Sequence, residues 1–124
     1  MPDTVTHRHG VTMLVCAPDG PKLRTDHDTL DLIGPALGHR ARLVVLPVER
    51  LDEDFFALRT GIAGQILQKF ASYRRHLVIV GDITRYLAGS SALGALVHEC
   101  NRGQHAWFVT DLAELDTRLE HAAR

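Results

Sequence analysis

Four short apolar runs punctuate this chain, and none carries the strict polar alternation of a half-exposed strand. They are Val11-Thr12-Met13-Leu14-Val15-Cys16, Leu43-Val44-Val45-Leu46, Leu77-Val78-Ile79-Val80 and Ala106-Trp107-Phe108-Val109. A strand wetted on one face must alternate, whereas one covered on both faces need not. Between the runs the period changes. Leu51, Phe55, Leu58 and Ile62, continued by Ile66 and Phe70, fall on one helical stripe, as do Leu93, Leu96, Val97 and Cys100. Apolar strands separated by amphipathic helices predict an α/β fold: a small, mainly parallel, four-stranded sheet packed with helices. With no linker, repeat or low-complexity segment, residues 1–124 are expected to form a single domain. Crossover connections then carry the turns that follow the strands to one common rim.

Turn and cap residues set the expected boundaries. Pro18-Asp19-Gly20-Pro21 closes the first strand, and a helix beginning near Thr25 or Asp26 is expected to carry Leu30 and Ile33 inward until Gly34-Pro35 disrupts it. Thr60-Gly61 divides the Leu51–Phe70 stripe into two helices. Ser90 and Ser91 cap the next helix and Gly103 ends it. Asp111 opens the last helix, with Glu114 three residues on in a variant of the capping box. Residues 1–10 are polar throughout and read as a flexible tail.

Charge and composition bear on partners. Lys and Arg number 14 and Asp and Glu 15, for a net charge of -1, which does not suit a protein whose affinity comes from neutralising phosphates. The basic pairs Arg40, Arg42 and Arg74, Arg75 are too sparse to change that expectation, so no nucleic acid is predicted. No apolar run reaches the roughly 18–20 residues of a membrane span, and the first ten residues lack the apolar stretch of a signal peptide. The expectation is a cytoplasmic chain with no membrane partner. Cys16 and Cys100, far apart and in apolar surroundings, read as reduced core thiols. The 8 histidines are scattered; the densest group, Asp26-His27-Asp28, reads as a solvated helix start because acidic residues favour that end. Neither a metal nor a cofactor is predicted.

Polar residues at the expected rim supply the candidate chemistry: Asp19, Glu49, Arg50, Asp82, Thr84, Ser90, Ser91, Thr110 and Asp111. Within Arg59-Thr60-Gly61-Ile62-Ala63-Gly64-Gln65, two glycines near a helix start cost roughly 1 kcal/mol each against Ala. Close helix packing is the favoured compensation. Approach of a ligand to the backbone, with Arg59, Thr60, Gln65 and Gln68 facing it, is the functional alternative. The stretch is no nucleotide fingerprint, since neither G-x-G-x-x-G nor G-x-x-x-x-G-K follows a strand. Asp82 reads as a turn cap through an Asx hydrogen bond. Gly89-Ser90-Ser91-Ala92-Leu93 fails the hydrolase elbow because Leu93 stands where the last glycine belongs. The leading expectation is a binding or regulatory module engaging a protein partner or small ligand through Arg59, Thr60, Gln65, Gln68, Asp82, Ser90 and Ser91. The alternative is a small cofactor-free enzyme using acid–base chemistry at Asp82, His98 and Glu49. Phe56, off the main stripe of its helix, is a candidate contact for a second copy of the chain; burial beneath the preceding loop is the other reading.

Two resemblances arise from these residues. Pro47-Val48-Glu49-Arg50-Leu51, the segment from Phe55 to Gly64 with Gln68-Lys69-Phe70, Val80-Gly81-Asp82 and Asn101-Arg102-Gly103 resemble the bacterial family called domain of unknown function 4180, over nearly the whole chain from Val11 to about Leu119. Gln65 and Cys100 stand where that family is associated with Glu and Ser. If a Glu at the first position is a working acid, this chain lacks it. The resemblance implies an α/β fold and carries no activity with it. More loosely, Leu77 to Leu96 followed by Trp107-Phe108-Val109 is similar to the second half of STAS domains, the anti-sigma-factor antagonist fold. That similarity implies partner binding and a phosphorylated serine at Ser90, with Gly89 and Ala92 departing from the usual Asp and Gly.

Overall fold

The computed structural model describes residues 3–122. Strands β1 (Thr4–Arg8), β2 (Val11–Val15), β3 (Leu43–Pro47), β4 (His76–Val80) and β5 (Ala106–Val109) lie side by side in chain order. From β2 to β5 they run parallel, with Leu43 beside both Met13 and His76, and Val78 beside Trp107. The class is therefore the expected α/β with a mainly parallel sheet, but the sheet is mixed and has five strands, not four. The extra strand comes from the expected tail: Thr4–Arg8 turns at His9 and Gly10, both at positive φ, and pairs antiparallel with β2. Its residues are nearly all exposed. An edge strand held by backbone hydrogen bonds needs no apolar pattern, so composition hides it. Met1 and Pro2, also assigned to the tail, lie outside the described residues.

The helices are α1 (Asp26–Gly38), α2 (Glu53–Phe56), α3 (Ile62–Ser72), α4 (Thr84–Leu87), α5 (Ser91–Arg102) and α6 (Leu112–Ala122). Thr25 and Asp28 form a reciprocal capping box at the start of α1. The helix then runs through Gly34-Pro35 instead of ending there. Pro35 and its neighbour Asp31 face solvent, while Leu32, Ile33 and Ala36 are buried, so packing of the inner face outweighs the one bond the proline removes. Leu30, expected inside, is 38% exposed. The predicted break at Thr60-Gly61 is present: Gly61 sits at φ 77, a left-handed conformation that glycine adopts without the penalty of a Cβ. An added Cβ at Gly61 or Gly64 would meet nothing within 4 Å. Backbone conformation accounts for Gly61, close helix packing accounts for neither glycine, and nothing in the structure explains Gly64.

Alternate strand residues point to opposite layers. Leu14, Cys16, Val44, Leu46, Leu77, Ile79, Ala106 and Phe108 pack with Ile33, Phe55, Ile66, Phe70 and Leu93 from α1, α2, α3 and α5. Met13, Leu43, Val45, Val78, Trp107 and Val109 pack on the other face beneath Leu115 and Leu119 of α6. A single helix thus covers the second face, which explains why the strands are apolar on both sides. Phe108 N–H on the β5 edge donates to Asn101 Oδ1 at 2.7 Å, so a side chain from α5 blunts that edge. Among the described residues no helix is long and apolar enough to cross a membrane. Cys16 and Cys100 are unbridged; burial first, and the Asp3 charge second, push the Cys16 thiol up to about 12.

Candidate functional site at the carboxyl rim

The chain leaves β3 through Pro47 into a single 3-10 turn, Val48–Arg50. Arg50, expected at the rim, turns inward and is 4% exposed. Its Nε donates to the Pro21 carbonyl at 2.6 Å and its Nη1 to the Ala17 carbonyl at 2.9 Å, pinning the loop after β2. Glu49, one residue earlier, is left pointing outward. The chain leaves β4 through Gly81 at φ 148, where an added Cβ would lie 2.5 Å from Val48 Cγ1. That close approach seats the exit of β4 on the turn after β3 and brings Asp82 beside Glu49.

Together with Lys22, Glu53, Arg85 and Tyr86, these two carboxylates line a groove of about 400 Å³. Asp82 takes the turn-capping role, accepting from Thr84 N–H at 2.9 Å and Thr84 Oγ1 at 2.5 Å. The Thr84 hydroxyl first, and its N–H second, hold the Asp82 carboxyl below the usual range. Arg85 donates to the Tyr86 hydroxyl and lies 4.6 Å from that ring's centroid. Tyr86 in turn stacks on Phe56, centroids 4.0 Å apart and 7° from parallel. Phe56 is accordingly buried at 4% exposure, so of its two readings burial is the one observed, with Tyr86 of α4 stacked against it. The stacking explains why: α4 lays an aromatic lid over it. Among the described residues Lys22, Glu49, Glu53, Asp82 and Arg85 have no oppositely charged side chain within ion-pair distance.

The other expected site residues do not join this groove. Thr60 Oγ1 lies 2.7 Å from the Asp54 carbonyl and 2.8 Å from that of Ala57, locking the turn between α2 and α3. Arg59 and Gln65 are exposed on either side of that turn. Gln68 lines a separate shallow cleft with Gly64, Leu67, Glu99 and Cys100 between α3 and α5. Ser90 Oγ accepts from Leu93 N–H at 3.1 Å, which is N-capping, and Ser91 is exposed in the first turn. Thr110 and Asp111 are absorbed into the start of α6, where Glu114 N–H donates to Asp111 Oδ1 and Glu114 Oε1 accepts from Thr110. His98 is exposed on α5 and does not line the groove holding Asp82 and Glu49. No group of three His, Cys, Asp or Glu among the described residues is placed to hold a metal.

A larger cavity, about 650 Å³, lies at the opposite, amino ends of β2 to β5 and is lined by Arg42, Arg74, Arg75, His76 and His105. The rule that ligands gather at the carboxyl ends of parallel strands does not lead to it. A signal was present: each of these residues stands just before, or at the first position of, an apolar run.

No curated protein and no solved structure matches the chain. A family model, described as domain of unknown function (DUF4180), matches residues 8–119. That match runs from the end of β1 into α6, including both exits that shape the rim groove, and the chain belongs to the DUF4180 family.

Proposed function

We propose that the protein is a binding module whose rim groove receives a partner group carrying both signs of charge, as an amino-acid-like small molecule or a peptide segment does. The observation that supports this reading most directly is the convergence of three carboxylates, Glu49, Glu53 and Asp82, with two cations, Lys22 and Arg85, none within ion-pair distance of another. Charges left unpaired in a shared groove are free to be matched by a ligand at little cost in broken protein contacts. Tyr86, backed by Phe56, adds a rigid aromatic wall. The reading favours binding over acid–base chemistry because Asp82 is held ionised by Thr84, which opposes the raised pKa that a general acid or base near neutrality requires.

The test is a thermal-shift screen of amino acids, dipeptides and charged metabolites. A ligand present at a hundred times its dissociation constant adds about 2.7 kcal/mol of stability. The expected hit is zwitterionic and loses its effect in Glu49→Gln and in Arg85→Gln. Hits that stabilise both variants as well as the parent protein, or a screen in which no zwitterion or peptide shifts the melting temperature, would refute the reading.

A further inference from the structure

The cavity at the amino ends of the strands is the second concave site of this molecule, and its chemistry differs from that of the rim groove. Arg42, Arg74 and Arg75 bring three guanidinium groups to it, and no carboxylate lines it among the described residues. Arg42 and Arg74 make no ion pair and no side-chain hydrogen bond with any described residue. Arg75 is anchored by donating from Nη1 to the Ala41 carbonyl at 3.1 Å and from Nε to the Tyr73 carbonyl at 3.2 Å. Those acceptors are neutral, so its charge is also left unbalanced. His9, at the margin, does have an acidic partner, Asp116 at 3.6 Å.

The floor of the cleft is apolar. Leu43, Trp107 and Leu119 line it and are each almost wholly buried. Arg118 lies 4.2 Å from the centroid of the Trp107 ring and donates to the Asn101 carbonyl at 2.6 Å, fixing the indole from α6. His76 meets the same ring edge-on, centroids 4.2 Å apart, and its Nε2 is buried without a hydrogen-bond partner. Burial, then the charges of Arg118, His105 and Arg42, hold the His76 imidazole down to about 4. Of these, His105 and Arg42 line the cleft itself.

Like charges gathered without a counter-charge repel one another, and an anion placed among them relieves that repulsion. Guanidinium groups match carboxylate and phosphate oxygens geometrically as well as electrically. A cavity of this size falls within the roughly 300–1,000 Å³ of small-molecule sites. We propose that this cleft binds a small organic anion with an apolar or aromatic body, its carboxylate or phosphate held by Arg42, Arg74 and Arg75 and its body lying on the floor formed by Leu43, Trp107 and Leu119. The site is independent of the rim groove and stands or falls separately. Concavity and an apolar floor favour a small molecule over a nucleic acid, which is met by basic surface that follows a backbone.

Trp107 is the single tryptophan of the chain, so its fluorescence reports on the cleft without a label. The protein is titrated with phenyl phosphate, benzoate, inorganic phosphate and benzylamine. One of the two aromatic anions gives a saturable change, and which of them binds more tightly separates phosphate from carboxylate recognition. Inorganic phosphate, lacking the body, binds about tenfold more weakly or worse, and benzylamine gives no saturable change. Arg42→Ala and Arg74→Asn, the latter chosen because Asn tolerates the left-handed backbone at Arg74 (φ 55), each weaken the anion about tenfold with no change in melting temperature. Arg24→Ala, which removes a charge outside the cleft, binds as the parent does. The proposal is overturned if neither aromatic anion gives a saturable change, if benzylamine binds equally well, or if the two cleft variants bind no worse than Arg24→Ala. Competition by a duplex oligonucleotide that binds more tightly than phenyl phosphate also overturns it, and reassigns the face to nucleic acid.

Discussion

Arg50 is a buried cation whose hydrogen bonds go mainly to two backbone carbonyls, with Asp3 Oδ1 at 3.5 Å as its acidic neighbour. It links the loop after β2 to the turn after β3, and those two segments form one side of the rim groove. Replacing it leaves the Ala17 and Pro21 carbonyls without their donor, and a buried acceptor deprived of its partner costs about 1–3 kcal/mol. Arg50→Met is therefore expected to lower stability by about 2–4 kcal/mol in urea denaturation. Arg50→Lys, which keeps the charge but not the fork of donors, should fall between the two. Loss of less than half a kcal/mol in Arg50→Met would show that the carbonyls find other donors. The sequence marked Arg50 as a rim residue because it follows a strand. Position along the chain does not reveal which of two adjacent polar side chains turns inward, and here Glu49 took the solvent side.

α5 shows how much an element owes to its first residue. Ser90 accepts from Leu93 N–H, and Leu93 is the one residue of the helix wholly sealed in the core. Capping and core contact therefore sit within one turn of each other. Ser90→Ala should cost about 1 kcal/mol, while Ser90→Asp, which also accepts from the first turn and complements the helix dipole, should hold or raise stability. Equal melting temperatures for the parent and Ser90→Ala would mean the cap contributes nothing. The same signals made α5, α6 and the Thr60-Gly61 break readable before any coordinates, since caps and helical periodicity are local and short-range. The helix through Gly34-Pro35 was not readable. Its continuation depends on Leu32, Ile33 and Ala36 being buried against the sheet, and burial is not encoded in a dipeptide.

At the scale of the whole molecule, His76 couples the lower end of the sheet to pH. Its imidazole is held down to about 4, chiefly by burial, whereas the unfolded chain binds a proton near the ordinary value of 6.5. Below that value the unfolded state takes up a proton the folded state refuses, so stability is full above about pH 6.5 and drains away as pH falls toward 4. The loss attributable to His76 should be on the order of 2 kcal/mol by pH 5, and His76→Gln should show a correspondingly flatter decline between pH 7 and 5. Identical pH profiles for the two proteins would show that another group carries the acid sensitivity. Class of fold, strand cores, most helix boundaries and the family are all legible in the order of residues, because they rest on periodicity and on local turn chemistry. The edge strand escaped, because backbone pairing leaves no mark on composition. The rim groove was legible in part, since Glu49 and Asp82 stand among the expected rim residues, but Lys22, Glu53, Arg85 and Tyr86 escaped, as did the whole basic cleft. Gly81 lying against Val48 sets Asp82 beside Glu49, and parallel pairing of β3 with β4 gathers Arg42 with Arg74 and Arg75 from more than thirty residues away. Such groupings are made by folding across sequence distance, and no window on the chain contains them.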